Sequence, residues 1–168
     1  MGWIDVPLVL ILTLAALLVA AGVEDARRRE IANWKNAAIA VLAPAWWWAS
    51  GLLAWPDMAI QLGAAALVFG LFVAVFAAGW MGGGDVKLIG ALALWLPLDA
   101  LATMLVVMAL AGGVVTLLMV AEGRLRVWRS STGEAALAAP AIEVPYGVAI
   151  AFAGLFALHE PILNHFTQ

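Results

Sequence analysis

Residues 80–87 read Trp-Met-Gly-Gly-Gly-Asp-Val-Lys and interrupt a long apolar run. The simpler interpretation is a turn followed by a helix, with Asp85 accepting backbone N–H groups as an N-cap. The alternative is that Asp85 is a reactive group, because an ionisable side chain at membrane depth is costly and usually serves a function. The rest of the chain decides between these two interpretations.

The composition is that of a membrane protein. The chain has 168 residues, of which 66% are hydrophobic and only 11% are charged, whereas a soluble domain averages about a quarter charged residues. No polar stretch is long enough to form a soluble domain of its own. We therefore predict an all-α, polytopic membrane protein in which residues 1–168 form a single membrane-embedded domain.

The same composition limits the kinds of active site that the chain can form. The chain has no cysteine and only two histidines, His159 and His165. Thiol nucleophiles are therefore excluded, and a metal site built on cysteine or histidine is not expected. We predict a protein that uses no metal and no cofactor.

Six apolar stretches are candidates for membrane spans. A helix needs about 20 apolar residues to cross the hydrocarbon core, and the fourth stretch is too short to do so at about 1.5 Å per residue. Either this helix starts below the membrane surface, or the glycine segment before it dips inward under a cover of protein. The six stretches are roughly 5–23, 36–55, 58–80, 86–97, 99–121 and 143–160.

The basic residues predict the orientation. All eight fall in odd-numbered connections between the six stretches, and the opposite connections hold only acids. Because cytoplasmic loops are enriched in Lys and Arg, we predict about six transmembrane helices with the N-terminus outside and the odd connections in the cytoplasm. The basic residues are Arg27, Arg28, Arg29, Lys35, Lys87, Arg124, Arg126 and Arg129.

Two acids differ from the solvated acids of the loops. Asp25 directly follows the first apolar stretch, and Asp85 precedes the fourth. Because two spans lie between them, both are predicted at cytoplasmic ends, where they can meet in space. Each also has an ordinary interpretation, Asp85 as an N-cap and Asp25 as an exposed partner of the arginines that follow it.

A pair of aspartates within hydrogen-bond reach has a specific chemistry. The two cannot both ionise comfortably and therefore share one proton. The carboxylate takes a proton from water as the water attacks a peptide carbonyl, while the protonated partner polarises that carbonyl and later helps to expel the amine. We expect Gly82, Gly83 and Gly84 to adopt φ values open to no other residue, so that the loop approaches a substrate backbone closely.

Three segments resemble the type IV prepilin peptidases, the membrane aspartic proteases that process pilin precursors. Gly82–Lys87 matches the GxGDxK signature of that family, and Asp25 with Ile31 and Asn33 resembles its first-aspartate motif. Residues 144–151, Val-Pro-Tyr-Gly-Val-Ala-Ile-Ala, resemble its third block. The three segments occur in the family's order along the chain.

Two positions depart from the family's pattern. Ala32 stands where the family usually has proline, and Val148 stands where the third block commonly has a second proline. Neither departure removes a reactive group, although each affects how the following helix starts.

The resemblance implies a GxGD aspartyl protease fold with Asp25 and Asp85 as the catalytic pair. It also implies an active-site loop and a substrate groove. From its position two residues after Asp85, Lys87 is a candidate for biasing the charge of Asp85 or for binding lipid phosphate, and its ordinary interpretation is a lone lysine at a cytoplasmic helix end. The ordinary interpretation of Pro145 is a helix start. The implied residues of the loop and groove are Gly82, Gly83, Gly84, Lys87, Asn33, Pro145, Tyr146 and Gly147.

The chain looks like the short CpaA/TadV-like form of the family, which serves Flp (Tad) pili. That form implies cleavage of a prepilin leader at the cytoplasmic face of the bacterial inner membrane, without N-methyl transfer. Prepilin and membrane lipid are the implied partners, and the pilus assembly machinery is a further candidate. The basic stretch 124–129 is expected to contact anionic head groups rather than nucleic acid, and the oligomeric state is left open.

Two other functions are compatible with these residues. A small transporter or proton-conducting subunit uses intramembrane acids as a relay, although such sites usually lie at the bilayer midplane between repeated halves, which this sequence does not show. A non-enzymatic assembly factor is the third possibility. It predicts that both aspartates tolerate replacement.

Overall fold

The computed structural model describes residues 6–129 and 145–159, and every regular element in these two ranges is helical. A π-helical turn, Ala54–Met58, leads into the third α-helix. The α-helices are α1 Val6–Arg28, α2 Asn33–Ala49, α3 Ala59–Ala77, α4 Gly83–Ala93, α5 Leu98–Arg129 and α6 Tyr146–Ala157.

Three segments in the described ranges are long and apolar enough to cross a membrane, namely Val6–Arg28, Ala54–Ala77 and Leu98–Leu125. In the described ranges, these segments agree with the prediction of a helical membrane protein. The described parts of α2, α4 and α6 have 17, 11 and 12 residues. The expectation of six spans with an external N-terminus therefore stays a prediction.

The helix bounds correct two expectations. The first helix does not end at residue 23 but continues through Asp25 to Arg28, so Asp25 is helical and does not follow the helix. The fifth helix continues to Arg129, which places the basic stretch 124–129 on a helix and not in a loop. Arginine and glutamate favour helix almost as well as leucine, so a helix can continue past the end of its apolar segment. Positions 143, 144 and 160 of the sixth predicted span lie outside the described residues.

Helix α4 occupies the centre of the helix packing. It contacts α2, α3 and α6, while α6 also packs against α1 and α5. The core is formed by aliphatic side chains that are almost completely buried, including Leu18 of α1, Leu88 and Leu92 of α4 and Ile150 of α6. Outward-facing apolar residues of α5, such as Leu110, remain exposed, as lipid-facing side chains would be.

The prediction of a short fourth helix is confirmed. Side chains from other helices donate hydrogen bonds to the carbonyl groups at and after its C-terminal end. A helix leaves its last carbonyl groups without internal partners, which is costly away from water. Gln61 Nε2 donates a hydrogen bond to the carbonyl of Ala93 at 2.7 Å and another to that of Leu96. Trp47 Nε1 donates to the carbonyl of Leu94 at 2.6 Å. These bonds allow α4 to end inside the protein.

Candidate active site

Asp25 lies in the last turns of α1 and is buried, with 5% of its surface exposed. Its Oδ2 accepts a hydrogen bond from the backbone N–H of Val148 at 3.3 Å, at the N-terminus of α6. Unpaired N–H groups and the helix dipole make such a terminus favourable for a carboxylate. The interpretation of Asp25 as an exposed partner of arginines is therefore wrong.

Gly147 allows α6 to approach Asp25 this closely. A Cβ atom at position 147 would lie 2.7 Å from Cγ of Asp25 and 2.8 Å from Cδ1 of Ile31. Both separations are shorter than van der Waals contact, so any side chain would push the helix away from the carboxylate. The absence of a side chain here serves close approach, since Gly147 has no unusual φ value.

Asp85 lies in the first turn of α4 and is half-buried. The N-cap is Gly82, with φ −70° and ψ 144°, so the expectation that Asp85 itself is the N-cap is wrong. Burial raises the pKa of the Asp85 carboxyl to about 7, and the negative charge of Asp25 adds to the rise, while the backbone N–H of Gly82 opposes it. Asp85 thus resembles the acid of a capping box, which reaches back to the N-cap N–H.

The two aspartates lie close enough for the charge of one to affect the pKa of the other. They come from helices that are distant in the sequence, yet the charge of Asp25 acts directly on the ionisation of Asp85. Asp25 accepts the backbone N–H of Val148 at the start of α6, and Asp85 has a pKa of about 7, so that Asp85 holds a proton readily near neutrality. An acid and a base of this kind can share one proton.

The three glycines before Asp85 do not have the predicted conformations. Gly82 is extended and the next two residues start α4 as ordinary helical residues, whereas the positive φ values of 73° and 76° belong to Gly51 and Gly79. A Cβ on Gly84 would make ordinary contact with Ile31 at 3.5 Å. The expectation of special φ values at 82–84 is therefore wrong.

Lys87 and Asn33 contact each other at the start of α4 and α2. Lys87 Nζ donates a hydrogen bond to Asn33 Oδ1 at 2.8 Å, and both residues are exposed. Side chains two positions apart on a helix point about 200° away from each other, so Lys87 projects from the side of α4 opposite to Asp85. The structure links Lys87 to α2 and not to the carboxyl.

Residues of the third block, 144–151, make contacts with two different helices, α1 and α5. Pro145 is the N-cap of α6, which agrees with its interpretation as a helix start. The ring of Tyr146 lies against Gly112 of α5, where a Cβ would be 3.1 Å from its Cε1. Of the three predicted residues in this block, Gly147 touches Asp25. Val144 lies outside the described residues.

A groove of about 510 Å³ lies on the outer side of α4, between α2 and α3. Its polar lining comes from Asn33, Asn36 and Lys87, and neither aspartate lines it. Most of the remaining lining is small and apolar, as at Ala65, Gly90 and Ala91. The aspartate pair is thus separate from this groove.

Sequence reasoning missed three polar residues beside the aspartates. Glu24 and Lys35 form an ion pair at 2.7 Å, and Asn36 Nδ2 donates to the carbonyl of Gly84 at 3.2 Å. Lys35 and Asn36 are buried, with 8% and 4% exposed. A signal was available, because Asn36 has the helical spacing of the buried Ile39 and so lies on the core-facing side of α2.

The described part of the chain contains no group of three or more His, Cys, Asp or Glu side chains that could hold a metal ion. The chemistry that these residues offer is acid–base chemistry at two carboxyl groups, of which Asp85 has a pKa raised to about 7.

A family model described as the type IV leader peptidase family matches residues 11–117. The match covers more than half of the chain and includes both aspartates, while residues 144–151 lie beyond it. Searches of curated proteins and of solved structures found no match. The resemblance noted for residues 82–87 and for Asp25 is confirmed at the level of the family. The chain belongs to the type IV leader peptidase family.

Proposed function

We propose that the protein is an aspartic endopeptidase that removes the leader peptide from type IV (Flp/Tad-type) prepilins at the cytoplasmic face of the bacterial inner membrane. The observation that carries this proposal is the pair of carboxyl groups. Asp85 has a pKa raised to about 7 by burial and by the charge of Asp25, while Asp25 accepts a backbone N–H of α6. These environments suit one protonated and one ionised aspartate at neutral pH.

The first step is the attack of water on the scissile carbonyl. Asp25, as the carboxylate, takes a proton from the water while the oxygen of the water bonds to the carbonyl carbon. Asp85, as the acid, donates its proton to the carbonyl oxygen. The product is a gem-diol, with the proton of the pair now on Asp25.

The second step breaks the C–N bond. Asp25 gives its proton to the departing amine nitrogen, and Asp85 takes a proton from one hydroxyl of the gem-diol as the carboxylic acid product forms. The pair returns to its starting state with one shared proton, so no other acid or base is required.

The surroundings agree with cleavage at a membrane boundary. Asp25 lies close to the end of a helix long and apolar enough to cross the membrane, just before the exposed residues Arg27 and Arg28. With basic connections in the cytoplasm, this end faces the cytoplasm, and a substrate peptide bond there would lie where an apolar helix leaves the bilayer. By resemblance to the short form of the family, we expect peptide cleavage without N-methyl transfer.

The test is processing of a co-expressed prepilin by Asp25→Asn and Asp85→Asn variants. Both substitutions keep the side-chain size and remove the ability to exchange a proton, so we expect cleavage to fall at least about a thousandfold in each. Asp99→Asn is the matched control, because Asp99 is an exposed acid in the first turn of α5. It should cleave as the parent protein does.

Each variant is first shown to insert into the membrane in normal amounts. Cleavage at the parental rate by either Asp25→Asn or Asp85→Asn would overturn the two-aspartate mechanism. Loss of cleavage in the Asp99→Asn control would instead show that the assay responds to any loss of charge.

A further inference from the structure

The first turn of α2 lies between the two aspartate-bearing segments. We call its residues Asn33, Lys35 and Asn36 the α2 bracket. Consecutive residues of an α-helix project about 100° apart, so one turn can direct neighbouring side chains toward different helices. Lys35 extends toward α1, and Asn36 extends toward α4.

The α1 side of the bracket is a small polar network next to Asp25. Lys35 Nζ donates to Glu24 Oε2 at 2.7 Å and to the backbone carbonyl of Ala20 at 3.2 Å. The same Glu24 oxygen accepts the backbone N–H of Ala32 at 2.9 Å. Two hydrogen bonds therefore hold Glu24, the residue before Asp25, to the start of α2, and a third joins Lys35 to Ala20 one turn earlier on α1.

The α4 side of the bracket contacts the residue before Asp85. Asn36 Nδ2 donates to the carbonyl of Gly84 at 3.2 Å, and Asn33 Oδ1 accepts a hydrogen bond from Lys87 at 2.8 Å. These two bonds hold the first turn of α4 on both sides of Asp85. The bracket therefore touches the neighbour of each aspartate and neither aspartate itself.

Asn36 is a polar residue at a buried position. It is 4% exposed, and its Oδ1 has no hydrogen-bond partner among the described residues. An apolar side chain of similar size would avoid burying an amide, but it could not donate to the carbonyl of Gly84. The directed bond from Nδ2 to Gly84 is therefore the specific contribution of Asn36.

We propose that Lys35 and Asn36 are positioning residues that set the separation of the two aspartates by tying α1 and α4 to one rigid helical turn. The inference rests on the proposed function of Asp25 and Asp85. Because the two carboxyls must share one proton and hold a water between them, a small displacement of either helix disrupts the reaction. We expect such a displacement to lower the rate of the reaction and not the affinity for the substrate.

The test compares four variants: Asn36→Leu, Lys35→Met, Lys35→Arg and Val41→Ala. Asn36→Leu and Lys35→Met each remove one side of the bracket, and we expect kcat to fall about 10- to 100-fold with KM within about twofold, since a misplacement near 1 Å costs about that much in rate. Lys35→Arg keeps a donor to Glu24 and should recover kcat to within about threefold. Val41→Ala is the control, because Val41 is 75% exposed on the same helix.

A distance measurement reads the positioning directly. The chain has no cysteine, so spin labels can be attached to Ala26→Cys on α1 and Trp80→Cys just before α4, both at exposed positions. We expect a broader or longer distance distribution when Asn36→Leu is added, and an unchanged one with Val41→Ala. If Lys35→Met fails to insert into the membrane, Glu24→Gln tests the α1 side of the bracket instead. Because this substitution weakens the ion pair with Lys35, we expect kcat to fall about three- to tenfold.

The outcomes separate the two proposals. Unchanged kcat and unchanged distances in Asn36→Leu, together with an inactive Asp25→Asn, would overturn the bracket and leave the two-aspartate mechanism standing. An increase in KM at constant kcat would also overturn it, since that is the signature of lost substrate binding. An active Asp25→Asn would overturn the proposed function itself.

Discussion

The two aspartates lie at opposite kinds of helix end. Asp25 is near the C-terminus of α1 and is buried, whereas Asp85 is in the first turn of α4 and is half-buried. The helix dipole disfavours a negative charge at the first position and favours it at the second. Taken alone, these helix ends would make Asp25 the less acidic carboxyl.

The neighbouring elements change this assignment. The N-terminus of α6 supplies a backbone N–H to Asp25, and this hydrogen bond stabilises a carboxylate at the unfavourable helix end. Burial and the charge of Asp25 raise the pKa of Asp85 to about 7 despite the favourable helix end. The proposed roles of base and acid therefore depend on tertiary contacts and not on the local position of each residue.

Among substitutions of the residues that surround the two aspartates, the largest expected effect is that of Gly147→Ala, which acts on the Asp25 side. The new Cβ would lie 2.7 Å from Cγ of Asp25, so either α6 or the carboxylate must move, and the N–H of Val148 is lost to Asp25. We expect kcat for prepilin cleavage to fall about a hundredfold or more. Purified, correctly inserted protein is assayed for kcat and KM.

Gly83→Ala is the matched substitution on the Asp85 side. Its Cβ would lie 3.3 Å from the end of the Phe76 ring, and this exposed ring can move outward. Alanine is also the better helix former, so cleavage should stay within about threefold of the parent. Equal losses of cleavage activity in Gly147→Ala and Gly83→Ala would contradict the predicted difference between the Asp25 side and the Asp85 side.

The next effect is a pH dependence that comes from Asp85. Because its pKa is about 7, the carboxyl is protonated below that pH and ionised above it. The mechanism needs the proton on Asp85, so kcat/KM should fall as pH rises above about 7, approaching tenfold per pH unit. A profile measured from pH 5 to pH 9 checks this, with Asp99→Asn as the control. A flat profile to pH 9 would remove Asp85 from the role of acid.

The smallest expected effect is on stability. The folded-state pKa of Asp85 is raised from 3.8 to about 7, so the folded protein binds more protons than the unfolded chain between these values. Stability therefore decreases as pH rises through that window. Asp85→Asn, which cannot ionise, should unfold a few degrees above the parent at pH 8 and show little difference at pH 4. Thermal unfolding in detergent at the two pH values measures this, and a parent that is the more stable at pH 8 would contradict it.

Much of the architecture could be predicted from local pattern. Apolar length predicted the segments that became α1, α3 and α5, and the shortness of α4 followed from the apolar run after residue 85. The ends of α1 and α5 were missed because helical hydrogen bonding continues past the apolar segment when the following residues tolerate helix. The glycine conformations at 82–84 were missed because glycine permits a positive φ but does not impose one.

The residues around the aspartates were less predictable. Asp25 and Asp85 were singled out by sequence, since acids beside apolar segments are rare and costly. Glu24, Lys35 and Asn36 were not, because their partners come from other parts of the chain. From the sequence alone, a polar residue at a helix start has many possible hydrogen-bond partners, so the actual partner cannot be predicted.

Residue patterns along the chain predict a helical, membrane-embedded protein, and they single out the two aspartates together with their family. Hydropathy, helix propensity and short motifs are local properties, and they can be read along the chain. The contacts between helices show that α6 supplies an N–H to Asp25, that Gly147 allows this approach and that α2 links α1 to α4. Burial and hydrogen bonding between distant residues depend on packing, and packing sets the different environments of the two carboxyl groups.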